Sequence, residues 1–93
     1  NVSEAVPLYR DNPPPLYPAL ARKRGYEGTV VLEVFVNRKG RVADQKIHQS
    51  SGYALLDEAA LTTVKDWQFN PGKKGETPVD MWVRVPIRFN LRK

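Results

Sequence analysis

The sequence contains no cysteine among its 93 residues. Disulfides and thiolate-bound metal sites are therefore excluded, and the chain suits an oxidising or a reducing compartment equally well. It also lacks any apolar run near the roughly 20 residues that cross a bilayer, and it shows no signal-peptide pattern. The chain begins at Asn1 rather than at a methionine, so we expect it to be a fragment whose anchor or targeting segment lies elsewhere.

Residue types that carry catalysis or bind metals are also scarce. His48 is the single histidine, and no carboxylate stands near it at ligand spacing, so we interpret it as a residue on the surface of a strand. Ser50 and Ser51 have no neighbouring base and are interpreted as turn or cap residues. A chain of this size forms one small core and no deep cleft. We therefore predict that the protein is not an enzyme and binds no cofactor.

The charge balance is basic, with 15 Lys and Arg against 10 Asp and Glu, a net charge of +5. Such an excess suits nucleic acid, an anionic membrane surface or acidic protein partners, and it also serves solubility alone. The loop Gly72-Lys73-Lys74-Gly75 matches the Gly-x-x-Gly loop of KH nucleic-acid-binding domains, but that loop has to join two helices. Here a predicted strand follows it, so we expect no nucleic-acid binding.

Two segments are expected along the chain. Residues 1–15 show no periodicity and end in three consecutive prolines, which favours an extended linker or arm that is ordered only if it docks. Residues 16–93 form the predicted domain. Pro18 is well placed to open a short helix and Gly25 to end it, and Leu20 and Ala21 are expected to face the core.

A β-hairpin is predicted after this helix. Residues 29–36 alternate in the manner of a strand, and their inward side chains are Val30, Leu32, Val34 and Val36. A turn that ends at Gly40 leads to a second strand at 41–49. In that second strand Ile47 is the surest inward residue.

A second helix and a third strand complete the domain. Between 53 and 67 the apolar residues fall at helical spacing on one stripe, with Tyr53 beside it: Leu56, Ala60, Val64 and Trp67. Pro71-Gly72 is expected to end this element, residues 75–78 to form a loop, and Phe69 to lie in the core with Trp67. Residues 78–91 then alternate again, and Val83, Val85, Ile87, Phe89 and Leu91 share one face.

The predicted class is α+β, in the order αββαβ. The second helix has to cross back over the sheet to bury its apolar stripe. The last strand then pairs beside the first, which gives a three-stranded antiparallel sheet in the order 2-1-3 with both helices on one face. The last strand is therefore an edge, and Pro86 agrees, because a proline inside a strand is tolerated mainly at edges.

A long apolar edge strand normally invites aggregation. One explanation is that Pro86, Arg84 and Arg88 protect it from pairing. The other is that the edge is a docking site for another strand. The residues alone favour the first explanation and leave the second open.

A series of short motifs helps to choose between a protected edge and a docking edge. They occur in order and together cover roughly residues 14 to 91: Tyr17-Pro18-Ala19-x-Ala21-Arg22, Gly25-x-Glu27-Gly28-x-Val30-x-Leu32-x-Val34-x-Val36, Gly40-Arg41-Val42, Ser50-Ser51-Gly52, Leu56-Asp57-x-Ala59-Ala60-Leu61, Trp67-x-Phe69-x-Pro71, Pro78-Val79 and Val83-x-Val85-Pro86-Ile87-x-Phe89. In this set the sequence resembles the TonB C-terminal domain family. No single motif is specific, but the whole series is.

The resemblance implies a periplasmic, non-enzymatic domain of a transducer anchored in the inner membrane of Gram-negative bacteria. Such proteins couple the proton-motive force, through the ExbB–ExbD complex, to outer-membrane transporters for iron chelates, haem or cobalamin. The ExbB–ExbD contact would use parts of the protein outside this chain. The domain grips the transporter's TonB box, which pairs as an added strand with the last strand of the domain.

The resemblance also implies the binding residues. Carried over, the peptide-binding residues are Met81, Trp82, Val83, Arg84, Val85, Pro86, Ile87 and Arg88. A secondary contact is expected from Pro14, Pro15, Leu16 and Tyr17. Where a well-known member has a glutamine before the Tyr-Pro pair, this chain has Pro14, Pro15 and Leu16, which cannot supply the same side-chain hydrogen bonds.

Two other readings remain at this level. A TolA-like envelope module has a similar order of elements and would keep the compartment but change the partners. A dimerisation domain would pair its last strand with a second copy of itself.

Overall fold

The computed structural model describes residues 1–8 and 10–91, and it confirms the α+β class. Within these residues the helices are α1 (Ala19–Arg24) and α2 (Ala54–Val64). The strands are β1 (Val2–Ser3), β2 (Val6–Pro7), β3 (Gly28–Val36), β4 (Val42–Gln49), β5 (Phe69–Asn70), β6 (Gly72–Lys74), β7 (Thr77–Val79) and β8 (Met81–Phe89). No helix in this part of the chain is long and apolar enough to cross a membrane.

The main sheet has the order β4-β3-β8, and both of its pairings are antiparallel, as predicted. β3 and β8 pair without a shift from Gly28 opposite Phe89 to Val36 opposite Met81. The β3–β4 pairing is less regular and shifts register twice. β8 is therefore the long, regular edge of the sheet.

The core lies between this sheet and α2. The predicted alternation of β3 is confirmed, since Val30, Leu32, Val34 and Val36 are fully buried. The buried side chains of β8 lie beside them on the same face of the sheet: Val83, Val85, Ile87 and Phe89. Further buried side chains come from α2 and the segment after it: Leu56, Ala60, Val64, Trp67 and Phe69. Burying each large apolar side chain contributes about 1.5–3 kcal/mol, so this layer is the main source of stability.

Two predicted core residues are wrong. Leu20 remains 45% exposed, because the six-residue α1 reaches the core through Ala21, and the next side chain along a helix points about 100° away. Ile47 lies opposite Leu32 on the helix-covered side but remains 39% exposed. It belongs to the edge strand β4, where α2 covers the sheet incompletely.

The predicted loop at 75–78 is also wrong in part. Thr77 and Pro78 belong to β7, which pairs with β6 in a tight hairpin through Gly75, whose φ is +66°. The glycine and lysine content of this segment gives it little strand propensity. Pairing with β1 on its other side makes it part of a small second sheet.

The N-terminal arm docks on the domain. β1 pairs with β6 and β2 pairs with β5, and Ala5 between them is buried. The Leu8 N–H then donates to the Gln68 carbonyl at 3.0 Å. The arm therefore runs along the segment that links α2 to β8.

Candidate partner-binding edge

The outer side of β8 is open to backbone pairing. β8 pairs with β3 on one side, and in the described part of the chain no backbone group pairs with residues 82–88 on the other. The register with β3 continues unbroken across Pro86, which has no N–H. Val31 and Pro86 are therefore a non-hydrogen-bonded pair whose backbone groups point away from each other's strand.

That parity fixes which groups an added strand would meet. Trp82, Arg84 and Arg88 have the same parity as Pro86, so their N–H groups point outward, and so do the carbonyls of all four. Pro86 leaves one gap in the row of donors. The edge is thus a pairing surface with a single missing hydrogen bond.

The open face of the sheet carries an aromatic pair beside this edge. Trp82 is 45% exposed, and its ring lies 5.2 Å from the ring of Phe35, its cross-strand partner. The Lys46 Nζ lies 5.1 Å from the centre of the Trp82 ring, at cation–π distance. Trp82, which alternates onto the face opposite Val83, therefore forms an exposed apolar surface next to the free edge.

Basic side chains surround one acid on the same face. Glu33 lies within 3.6 Å of the Arg84 Nε, 3.6 Å of the Lys46 Nζ and 3.8 Å of the His48 Nδ1. Glu33 is therefore shared between the cationic groups of Arg84 and Lys46 and the imidazole of His48. Arg88 differs, because it has no carboxylate within ion-pair distance among the described residues.

The N-terminal arm passes close to both ends of the edge. At one end the Ala5 N–H donates to the Met81 Sδ at 3.4 Å. At the other end the Trp67 Nε1–H donates to the Pro13 carbonyl at 2.9 Å. A pocket of about 300 Å³ opens there between residues 12–15 and residues 86–88, with Trp67 in its lining.

The four residues of the predicted secondary contact separate into two pairs. Pro14 and Pro15 line the pocket beside residues 86–88. Leu16 is 81% exposed and lies instead against α2. The Tyr17 hydroxyl donates to the Tyr26 carbonyl, and its ring meets Phe89 edge-on at 5.3 Å. Tyr17 is therefore held within the domain, and the structure brings only the two prolines to the edge.

The two serines hold a buried acid. The Ser50 Oγ donates to Asp57 Oδ2 at 2.5 Å, and the Ser51 N–H and Oγ donate to Asp57 Oδ1 at 2.9 and 2.8 Å. Burial raises the pKa of Asp57, but these hydrogen bonds outweigh it and lower the pKa below its ordinary value. The arrangement fastens the start of α2 to the end of β4, as the interpretation of both serines as turn or cap residues predicts.

The described residues include no group of three or more His, Cys, Asp or Glu that could hold a metal ion. His48 lies on the strand face beside Glu33. The charge cluster around Glu33 and the pocket beneath the arm were not predicted. Both depend on register and docking, although the alternation did place Glu33 and Phe35 on the same face.

Comparison with known proteins agrees with this geometry. The family described as Gram-negative bacterial TonB protein C-terminal matches residues 13–91. The protein tonB2 of Pseudomonas aeruginosa is 49% identical over 83 residues, which are 89% of this chain and 31% of that protein. The TonB protein of Vibrio cholerae is 43% identical over 77 residues, which are 83% of this chain and 32% of that protein.

A solved structure shows the same fold. The solution NMR structure of the Pseudomonas aeruginosa TonB C-terminal domain superposes with a TM-score of 0.76 at 27% identity, and the match covers 98% of this chain and 90% of that one. The chain spans about a third of the length of the curated relatives it matches. With the family matched over most of the sequence and the fold in agreement, this chain belongs to the family of Gram-negative bacterial TonB C-terminal domains.

Proposed function

We propose that this domain is a non-enzymatic, periplasmic module that binds the TonB box of outer-membrane transporters by strand addition along residues 81–88. The observation that carries the proposal is the outer side of β8, where outward N–H and carbonyl groups continue past Pro86 without a backbone partner in the described residues. Membership of the TonB family supports it. Under this proposal the β8 edge is a docking site for a partner strand and not only an edge that is protected from pairing.

Binding by this edge is expected to be weak. Each backbone hydrogen bond contributes a net of about 0.5–1.5 kcal/mol. Ordering a flexible peptide costs about 1–2 kcal/mol per residue, so the two terms nearly cancel. Side-chain contacts and the attraction of an acidic peptide residue by Arg84 and Arg88 supply the remainder, which corresponds to micromolar affinity. Such affinity suits a transducer that engages and releases many transporters.

The wider role rests on the family. We propose that the full protein is anchored in the inner membrane, receives energy from the proton-motive force through ExbB–ExbD, and drives uptake of iron chelates, haem or cobalamin. This domain would supply the contact with the transporter. The matched relatives are about three times longer than this chain, which leaves room for such segments.

The test is an amide NMR titration of the ¹⁵N-labelled domain with a TonB-box peptide. We expect shifts at residues 81–88 and at their β3 neighbours, with Trp82 among the largest. A peptide of the same composition in scrambled order is the control. An absence of shifts at millimolar peptide, or shifts centred on β4, would overturn the proposal.

Sedimentation with and without the peptide separates the alternatives. A monomer that binds one peptide supports strand addition by a partner. A dimer that the peptide fails to dissociate would mean that the edge pairs with a second copy. Binding to a TolA partner segment in preference to the TonB box would favour the TolA-like reading.

A further inference from the structure

We infer that the pocket between residues 12–15 and residues 86–88 is a specificity site that takes one large apolar side chain of the bound peptide. This inference rests on the proposed function, because it names what the same edge recognises. The occupant is an extended peptide whose side chain level with residues 86–88 is aliphatic or aromatic.

The pocket wall on the arm side has few polar groups. Pro13, Pro14 and Pro15 have no N–H, and the Pro13 carbonyl already accepts from the Trp67 indole at 2.9 Å. The two polar groups of the Asn12 side chain bond to Gln68: its Nδ2 donates to the carbonyl at 2.9 Å and its Oδ1 accepts from the N–H at 2.8 Å. The prolines therefore offer a polar guest no N–H donor, and their rings give this wall an apolar surface that favours an aliphatic or aromatic side chain.

The opposite wall is the end of the free edge. Pro86 supplies no donor, and Arg88 is the charged residue in the lining. Backbone pairing thus loses a bond where the pocket begins, so side-chain burial has to supply affinity there. The backbone pairing of residues 82–84 and the pocket at 86–88 recognise successive parts of one peptide.

The size of the pocket limits the guest. At about 300 Å³ it lies at the lower end of ligand pockets, which span roughly 300–1,000 Å³. It has room for one large side chain rather than for a cofactor. The wall is also held in place, since the Asn12–Gln68 and Pro13–Trp67 hydrogen bonds fix the arm beside the edge without any ligand.

The experiment is an alanine scan of the TonB-box peptide against the wild-type domain and a P14S/P15S variant. Pro13 and its bond to Trp67 stay in place in this variant, and the Trp67 indole N–H resonance reports whether the arm is still docked. Pro78→Ser, in the exposed β7 away from the pocket, is the matched control.

We expect one apolar peptide residue to lose about tenfold in affinity on replacement by alanine in the wild type and in P78S. In P14S/P15S the same replacement should cost no more than about twofold, while the indole resonance is unchanged. The pocket proposal would be wrong if alanine replacement cost the same affinity in all three proteins, or if no apolar peptide residue lost affinity on replacement. Either result would count against it even if the peptide still shifted the amide resonances of residues 82–85. A complete absence of peptide-induced shifts would instead overturn strand addition itself.

Discussion

Gly40 closes the turn between β3 and β4 with a φ of +79°, a conformation that favours glycine. A methyl group there would lie 2.1 Å from the Phe69 carbonyl oxygen, while the Gly40 carbonyl accepts from the Phe69 N–H at 2.8 Å. The turn of the first hairpin is thus fastened to the segment that leads to β8. One glycine serves both the turn and the close approach of two backbones.

Gly40→Ala is expected to lower the free energy of unfolding by roughly 2–4 kcal/mol, because strain at positive φ adds to a backbone clash. Gly75→Ala is the matched control, since Gly75 also has a positive φ but no atom within 4 Å of an added methyl. It should cost only about 1–2 kcal/mol. Urea denaturation of both variants measures the difference, and equal losses would contradict the clash.

Asp57 makes stability depend on pH in the acid range. Its hydrogen bonds with Ser50 and Ser51 favour the ionised form and lower its pKa in the folded state from an ordinary value of 3.8. The unfolded chain therefore takes up the proton first as the pH falls. The stabilisation is complete above about pH 4 and is lost as the pH falls through the lowered pKa.

Asp57→Asn is expected to cost about 1–3 kcal/mol at pH 7, since it weakens three charge-assisted hydrogen bonds at one carboxylate. The difference from wild type should shrink as the pH falls below 4. Asp66→Asn, at an exposed position, is the control and should change stability by less than about 0.5 kcal/mol. Urea titrations at pH 2.5, 4 and 7 test this, and a constant difference would contradict it.

At the scale of elements, Pro86 does not interrupt β8. Its missing N–H would point to the outer side of the strand, away from β3. Pro86 leaves the ladder to β3 intact and removes a bond only from the outer edge. The same residue thus reduces uncontrolled pairing and weakens the proposed pairing with a partner. An edge of this kind favours reversible contacts.

Pro86→Ala restores the outward donor. We expect the TonB-box peptide to bind about 2- to 12-fold more tightly, which corresponds to one added backbone hydrogen bond of 0.5–1.5 kcal/mol. Pro78→Ala, in β7, should leave the affinity unchanged. Calorimetric titration measures both, and an unchanged affinity in a folded P86A variant would mean that the peptide does not pair opposite residue 86.

The two arginines of the edge are expected to contribute unequally to binding. Arg84 already contacts Glu33, whereas Arg88 has no carboxylate partner among the described residues. For a peptide with an acidic residue, Arg88→Gln should weaken binding about 3- to 5-fold at low salt, and Arg84→Gln less. The double variant should also flatten the salt dependence. Unchanged affinity of the double variant at low salt would contradict the electrostatic contribution.

The long elements follow from the sequence because their patterns are long enough to detect. β3 and β8 alternate over nine residues each, and Pro86 assigns β8 to an edge. The short strands β1, β2 and β5 have two residues each, too few for any period. Their pairing is decided by docking of the arm, which local sequence does not encode.

The candidate site divides in the same way. The backbone edge was predictable from alternation and Pro86, whereas its proposed role as a binding edge came from the family motifs. The cluster at Glu33 needed the register of three strands, since its partners come from β4 and β8. The pocket needed the position of the arm, so neither feature could be predicted from spacing.

At the scale of the whole molecule, the domain is elongated, with extents of 47 × 24 × 19 Å. A continuous ladder holds its central sheet, whereas two-residue pairs and a few side-chain bonds hold the arm. These two parts should therefore differ in local stability.

Asn12→Ala tests that difference. Loss of its two hydrogen bonds to Gln68 should lower the free energy of arm opening by about 1–2 kcal/mol and speed hydrogen exchange at the Leu8 N–H about tenfold. Exchange of the β3 amides should stay unchanged. Asn70→Ala, at an exposed position of β5, is the control, and equal acceleration in β3 would show that arm and sheet open together.

The unbroken β3–β8 register has a mechanical consequence. A pull along the axis of β8 loads every rung of that ladder in shear at once, so the rungs resist together. A pull on the arm from residue 1 instead peels the β1–β6 and β2–β5 pairs in turn, and each offers only two residues of resistance. Under tension from residue 1 the arm would therefore yield before the central sheet, whose edge is the proposed site of the partner strand.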